Sequence, residues 1–230
     1  MEIAARLSEA GKEYKTGEST IIALKPTTIG FRTGEITLLV GPSGSGKTTL
    51  LSLLGSVIYP TTGKVWVGNT CVNNLSEREL SSLRLQHIGF VFQGFNLLAP
   101  LNALENVMEP LLLQGIKRKE AKRRAMELIK RFGMEDRISN LPRNLSGGQQ
   151  QRIAISRSLV TNPQLILCDE PTASLDHKSA KMVMEMLSQL SLENKAVIVV
   201  THDVRLKKYA NRTIYVSDGR ISETAIEDDF

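Results

Sequence analysis

A chain of 230 residues is long enough to bury a substantial core, as one large domain or a domain with a subdomain. Its 41% hydrophobic and 23% charged residues suit an ordinary globular protein, and no apolar run approaches the about 20 residues of a membrane-spanning helix. The net charge of +5 raises nucleic-acid binding, but the basic residues gather in Lys117-Arg118-Lys119-Glu120-Ala121-Lys122-Arg123-Arg124 without interleaved stacking aromatics, so no nucleic-acid partner is expected.

In chain order, Met1 to Arg6 lacks the basic-then-apolar order of a signal peptide, and residues 2–8 and 20–25 predict antiparallel strands. Ile36–Val40 is an apolar strand run, the glycines after it form a loop, and a helix is expected over residues 47–56. Val65 and Val67 alternate after Gly63, as in a strand or hairpin. Asn102 followed by Glu105 is a capping-box pattern for a helix over Ala103–Leu113. Ala121, Ala125, Leu128, Ile129 and Phe132 then continue from the basic run at helical spacing. The expected form is a helix with one core face and one solvated basic face; a membrane surface or anionic partner is the other reading.

A loop is expected at Asn140-Leu141-Pro142, and Ser146 suits the N-cap of a helix over residues 147–161 that Asn162-Pro163 stops. Residues of about 94–162 thus read as a helical insertion between two β-rich stretches, about 1–93 and 163–230. A buried strand at 165–168, a helix with Ala180, Val183, Leu187 and Leu190 on one face, and a strand at 196–201 follow. Asp218-Gly219 centres a hairpin over residues 213–222, and residues 227–230 read as a frayed acidic end. Cys71 and Cys168 lack a metal-ligand spacing and are expected as free thiols in a reducing cytosol.

Three stretches carry chemistry. Gly41-Pro42-Ser43-Gly44-Ser45-Gly46-Lys47-Thr48 matches the phosphate-binding P-loop pattern, between a strand and a helix. Its glycines let backbone N–H groups cradle β- and γ-phosphates, the helix start adds positive potential, and Thr49 extends the contact set. Lys47 would neutralise phosphate charge, and the Thr48 hydroxyl would ligate Mg²⁺. In Leu165-Ile166-Leu167-Cys168-Asp169-Glu170 a buried strand delivers two carboxylates at its C-terminal end, where open parallel sheets bind ligands. Asp169 is expected to hold Mg²⁺ through water, and Glu170 to polarise the attacking water as general base. Leu145-Ser146-Gly147-Gly148-Gln149 is a hydroxyl N-cap with two glycines. It suits either an anion site or simply a capped helix, and geometry leaves both open.

Leu145 to Gln149, with Gln150-Gln151-Arg152 after it, resembles the signature motif of ABC ATPases. The family's other elements follow in its order. Tyr14 resembles the aromatic that stacks on adenine, although packing is an equal reading for it. Gln93, after Phe90-Val91-Phe92, looks like the Q-loop glutamine. Ser174-Leu175-Asp176 is similar to the D-loop, and His202 to the switch histidine. The resemblance covers essentially the whole chain. It implies a single α/β ABC-type P-loop NTPase domain, with a mixed β-sheet core, an antiparallel β subdomain and a helical subdomain. Two subunits would close face to face around two ATP molecules, as a homodimer. Ser146, Gly147, Gly148 and Gln149 would then reach the γ-phosphate in trans, with Asp176 at the seam. Gln93 would sense Mg²⁺ and water, and His202 would position Glu170 and the water.

Within the family, Gly89-Phe90-Val91-Phe92-Gln93, Asn96-Leu97-Leu98, Leu104-Glu105-Asn106-Val107 and Pro110-Leu111 resemble the group of macrolide exporters, lipoprotein-release ATPases and cell-division ATPases. That implies a cytoplasmic subunit, peripheral on the inner face of the membrane, driving a separate permease with an extracytoplasmic domain. Cys168 departs from the usual aliphatic or aromatic residue, and Gly94 from the usual larger one, a change expected to affect loop stiffness and hence coupling. A soluble cofactor-assembly ATPase of the same family is the alternative. A DNA-repair relative is disfavoured, because only about fifty residues separate Gln93 from Ser146, without sustained heptads.

Overall fold

The computed structural model describes residues 2–17 and 19–224. Its strands are β1 (Ile3–Thr16), β2 (Ser19–Arg32), β3 (Ile36–Val40), β4 (Thr62–Val67), β5 (Thr70–Cys71), β6 (Ile88–Phe92), β7 (Leu165–Asp169), β8 (Ala196–Val200), β9 (Arg212–Ser217) and β10 (Arg220–Ser222). Its α-helices are α1 (Lys47–Leu54), α2 (Glu77–His87), α3 (Ala103–Leu113), α4 (Arg118–Arg131), α5 (Gly147–Leu159) and α6 (His177–Leu192). Among the described residues no helix is long and apolar enough to cross a membrane.

The strands form two sheets. One is antiparallel, in the order β2-β1-β4-β5; the other is ordered β10-β9-β3-β8-β7-β6 and is parallel except at β10. The central strands β3 and β8 are buried at every residue because both faces of this sheet are covered. Period-two alternation divides their side chains between two cores. Leu39, Leu167 and Ile198 pack with Leu50 and Leu54 of α1, while Leu38, Ile166 and Val197 pack with Val183 and Leu187 of α6. Burying each such Leu or Ile stabilises the fold by about 1.5–3 kcal/mol.

A third cluster joins Val107 and Leu111 of α3, Ala121, Ala125 and Ile129 of α4, and Ile153 of α5. Helix α5 is shared: Ile155 and Leu159 belong to the α6 side of the main core, while Ile153 faces α3 and α4. The basic helix α4 follows the core-and-solvent reading. Its Glu120 accepts hydrogen bonds from Arg123 and Arg124, which hold the carboxyl at about 2.

Helix α3 has the expected bounds, and its capping box is formed by Asn102 and Glu105. The hairpin turn falls at Asp218 and Gly219, both left-handed. The helix expected over 47–56 stops at Leu54, with Gly55 as its cap and Ser56 left-handed at φ 53°. The strands expected at 2–8 and 20–25 run on to fourteen residues each, with bulges in their register. Helix α2 and strand β6 were not anticipated as elements. The sequence did carry a start signal for α2, since Ser76 and Glu79 form a capping box, but only Leu80 and Leu83 are buried and the periodicity is weak. The expected acidic end at 227–230 lies outside the described residues. Cys71 and Cys168 are free, and burial pushes the Cys168 thiol up.

Candidate active site

The P-loop joins the buried end of β3 to α1. Gly46, the N-cap residue, has φ 107°, and a Cβ there would stand 2.3 Å from the Ala23 carbonyl oxygen, so only glycine fits. The loop is held against the β9–β10 turn by a hydrogen bond from Gly219 N–H to the Ser45 carbonyl, 2.9 Å. Helix α1 has no side-chain cap, and neither has α4, whereas α2, α3, α5 and α6 are capped by side chains. The first bond into α1 is Leu50 N–H to Gly46 O, which leaves the N–H groups of Gly46, Lys47, Thr48 and Thr49 ahead of the ladder. An uncapped start preceded by a glycine loop and beside the Lys47 ammonium suits an anion.

Lys47 crosses back over the loop, its Nζ donating to Gly41 O at 2.8 Å and Pro42 O at 2.6 Å. An ammonium has three donors, so one is left for a ligand. Burial lowers the Lys47 pKa, opposed by the nearby carboxylates Glu170 and Asp169. At the end of β7, burial and then Glu170 raise the pKa of Asp169, with Lys47 opposing.

Glu170 sits one residue beyond β7 at φ 47°, a left-handed conformation that a side chain adopts at a cost of about 1–3 kcal/mol. Its Oε1 accepts from the His202 backbone N–H at 3.0 Å and lies 2.7 Å from His202 Nδ1. One oxygen is thus engaged by His202, and Oε2 has no hydrogen bond among the described residues. The residue after Glu170 is also held: Gln151 of α5 donates to Pro171 O at 2.8 Å, while its own Oε1 is buried without a partner among the described residues.

A cleft of about 390 Å³ is lined by Ser43, Gly44, Gly46, Lys47, Thr48, Thr49, Gln93, Asp169, Glu170 and His202, with Ala23 and Val200. Most sequence-derived residues therefore meet in one place. Gly41, Pro42 and Ser45 form the loop beneath it: the first two hold Lys47, and Ser45 is buried. Tyr14 is not part of this lining. It stands exposed on β1 opposite Ile21, with the Lys12 ammonium 5.2 Å from its ring centroid.

The signature segment also lies outside the cleft. Ser146 caps α5 in a box with Gln149: Ser146 N–H donates to Gln149 Oε1 at 2.9 Å, and Gln149 N–H to Ser146 Oγ at 3.4 Å. Gly147 faces the Phe95 ring and Leu175, and a Cβ on Gly148 would approach Ser179 Oγ to 2.6 Å. Ser179 in turn donates from its N–H and Oγ to Asp176, the N-cap of α6. So the structure gathers Ser146–Gln149 with Asp176, apart from the P-loop.

The residues missed in sequence are those that support others. Ala23 meets Gly46 through its backbone carbonyl, which no side-chain pattern reveals. Gln151 and Arg157 stand among other polar residues of α5, Arg152, Ser156 and Ser158, so the sequence sets neither apart. Near Gly94 there is open space, with only Asn96 Oδ1 at 3.5 Å from a built Cβ; the loop's left-handed residues are Phe95 and Asn96 instead.

The donor set tests the fit of a cation. Thr48 hydroxyl, Gln93 amide and Asp169 carboxylate are all oxygen donors, the type that suits Mg²⁺. No group of three or more His, Cys, Asp and Glu residues able to hold a metal occurs among the described residues. A shell shared with phosphate oxygens, rather than an all-protein cage, is what such a set fits.

Fold and cleft define a P-loop nucleotide hydrolase. The particular family follows from comparison: the ABC transporter family model matches residues 24–173, and the chain belongs to that family as an ATP-binding cassette ATPase. It is 44% identical over 221 residues to the uncharacterized ABC transporter ATP-binding protein MJ0796 of Methanocaldococcus jannaschii, covering 94% of each chain. It is 42% identical over 210 residues to the macrolide export ATP-binding/permease protein MacB of Bartonella quintana, matching 91% of this chain but only 32% of that relative. Among solved structures, the dimeric post-hydrolysis state of MJ0796 bound to ADP and Pi aligns with a TM-score of 0.86 at 42% identity, over 96% of this chain and 100% of that one.

Proposed function

We propose that this chain hydrolyses ATP as a face-to-face dimer and drives a separate membrane permease. The observation that carries this reading is the single cleft uniting Lys47, Thr48, Gln93, Asp169, Glu170 and His202, with Ser146–Gln149 outside it. Lys47 and the uncapped N–H groups of α1 bind the β- and γ-phosphates, in the cradle formed by Gly41 to Gly46. Thr48, Asp169 and Gln93 would hold Mg²⁺, which supplies neutralisation of phosphate charge. Glu170 accepts the proton of the attacking water, and His202 fixes the carboxylate by its two contacts to Oε1. Gln93 orients the water.

Ser146, Gly147, Gly148 and Gln149 do not line this cleft, which supports their use by a second copy, whose γ-phosphate would take the place of the self-made cap. Asp176, bonded beside Gly148, would then line the seam. Tyr14 is proposed to stack on adenine: it is exposed on the hairpin whose Ala23 carbonyl touches Gly46. The helical residues 94–162 act as the lever toward the permease. The name of MacB, an ATP-binding/permease protein of which this chain spans about a third, supports a permease partner and a peripheral place on the inner face of the membrane.

The test uses tagged Glu170→Gln protein, pulled down from detergent-solubilised cells with ATP and Mg²⁺. Copurification of an integral membrane protein with an extracytoplasmic domain is the expected result. A bare dimer or a soluble partner would overturn the permease part and leave a soluble assembly ATPase.

A further inference from the structure

We infer that Arg157 is the positioning residue that sets the shape of the loop after Gln93 and ties it to the signature helix. The inference rests on the reading of Gln93 as part of the ATP site. The loop turns sharply: Phe95 and Asn96 are consecutive left-handed residues, with φ 60° and 48°. Asparagine tolerates that conformation, whereas a bulky phenylalanine adopts it only under constraint. The loop's own hydrogen bonds, Phe95 N–H to Phe92 O and Asn96 N–H to Gly94 O, tie it only to itself.

The outside constraint is Arg157. From α5 its Nη1 donates to Asn96 O at 2.6 Å and its Nη2 to Phe95 O at 3.1 Å, one bond to each left-handed residue. A guanidinium fork spans two adjacent carbonyls in fixed geometry, which an ammonium on a flexible stem does not. The group is half-buried, and burial alone lowers its pKa, with no carboxylate opposing. A surface or ion-paired role would not explain a desolvated cation spent wholly on loop carbonyls.

The far half of the loop is fixed from another helix. Asn106 of α3 is fully buried, accepts from Leu98 N–H, and donates to the carbonyls of Leu98, Leu101 and Asn102. Arg157 is therefore the link from this loop to α5. The same helix meets the loop again at its start, where Gly147 faces the Phe95 ring. Movement of the signature end is thereby carried to the backbone next to Gln93.

The test compares the full chain with Arg157→Gln, Arg157→Lys, Arg157→Gln/Phe95→Gly and Gln93→Ala, measuring ATPase kinetics and amide exchange over residues 94–98. Arg157→Gln should lower kcat by about tenfold or more, with little change in KM for ATP, and speed exchange in the loop. Arg157→Lys should recover part of the rate. The added glycine should recover more, because it holds a left-handed conformation without the clamp. If Arg157→Gln does not fold, Arg157→Lys carries the same comparison. Unchanged loop exchange, or loss of kcat together with melting temperature and no recovery by glycine, would overturn the assignment. If Gln93→Ala turns over normally while Arg157→Gln speeds exchange, the reading of Gln93 fails and the clamp stands.

Discussion

Helices α1 and α5 both begin in glycine-bearing loops, yet their first turns are treated in opposite ways. At α1 the N-cap glycine offers no side chain, and the N–H groups are left for a ligand. At α5 Ser146 and Gln149 satisfy each other, and the helix start is closed upon itself. The contrast teaches that a preformed anion site shows as a missing cap behind a left-handed glycine, which the uncapped α4, starting at Lys117, does not have. A site completed by a second molecule is masked in the single chain by an ordinary one.

Exchanging the glycines gives the largest separation. Gly46→Ala drives a Cβ against the Ala23 carbonyl at an unfavourable φ, so nucleotide binding by the lone chain should be lost in a titration. Gly148→Ala meets the Ser179 side chain, its Oγ at 2.6 Å and its Cβ at 3.0 Å, away from the P-loop, so binding should survive while ATP-dependent pairing falls. Equal losses in both variants would erase the distinction. Next in size is Glu170→Gln. It should cut turnover by about 10²–10⁴-fold in a phosphate-release assay while leaving ATP affinity intact. Normal turnover would remove Glu170 from the chemistry. A smaller effect is expected of Ser146→Ala, which removes a cap worth about 1 kcal/mol. It should lower the melting temperature slightly, leave ATP binding by the single chain unchanged, and weaken the ATP-dependent dimer seen by light scattering.

How far these features were legible follows from the same contrast. The P-loop, the strand bearing Asp169 and Glu170, and the capping boxes are local patterns, so bounds such as Ala103–Leu113 could be read from adjacent residues. The contact of His202 with Glu170 spans two parallel strands, and only the resemblance to the family implied it. Helix α2 escaped because two buried leucines make a faint stripe, and the role of α5 escaped because it depends on tertiary neighbours. Arg157 reads in sequence as one more surface charge; only the folded loop reveals the carbonyls it meets.

The smallest effect concerns charge in the cleft before nucleotide arrives. Asp169 is held above the ordinary carboxylate range, by burial first and Glu170 second, and Lys47 only partly offsets this. A raised folded pKa means that the native chain binds this proton more tightly than the unfolded chain. The group's contribution to stability is most favourable below the unfolded pKa and declines as pH rises through the folded one. At neutral pH the ionised carboxylate therefore opposes folding of the nucleotide-free chain. Asp169→Asn should melt above the parent at pH 7, and the gap should close as acidification protonates Asp169. With ATP and Mg²⁺ added, the order should reverse, because the parent regains through ligand binding what the buried charge costs it. The experiment is a set of thermal melts across that pH range, with and without ATP and Mg²⁺. A lower melting temperature for the nucleotide-free variant at pH 7 would mean that the attraction of Lys47 outweighs burial. The cleft would then be stabilised by its charges, and α1 would differ from α5 only in lacking a cap.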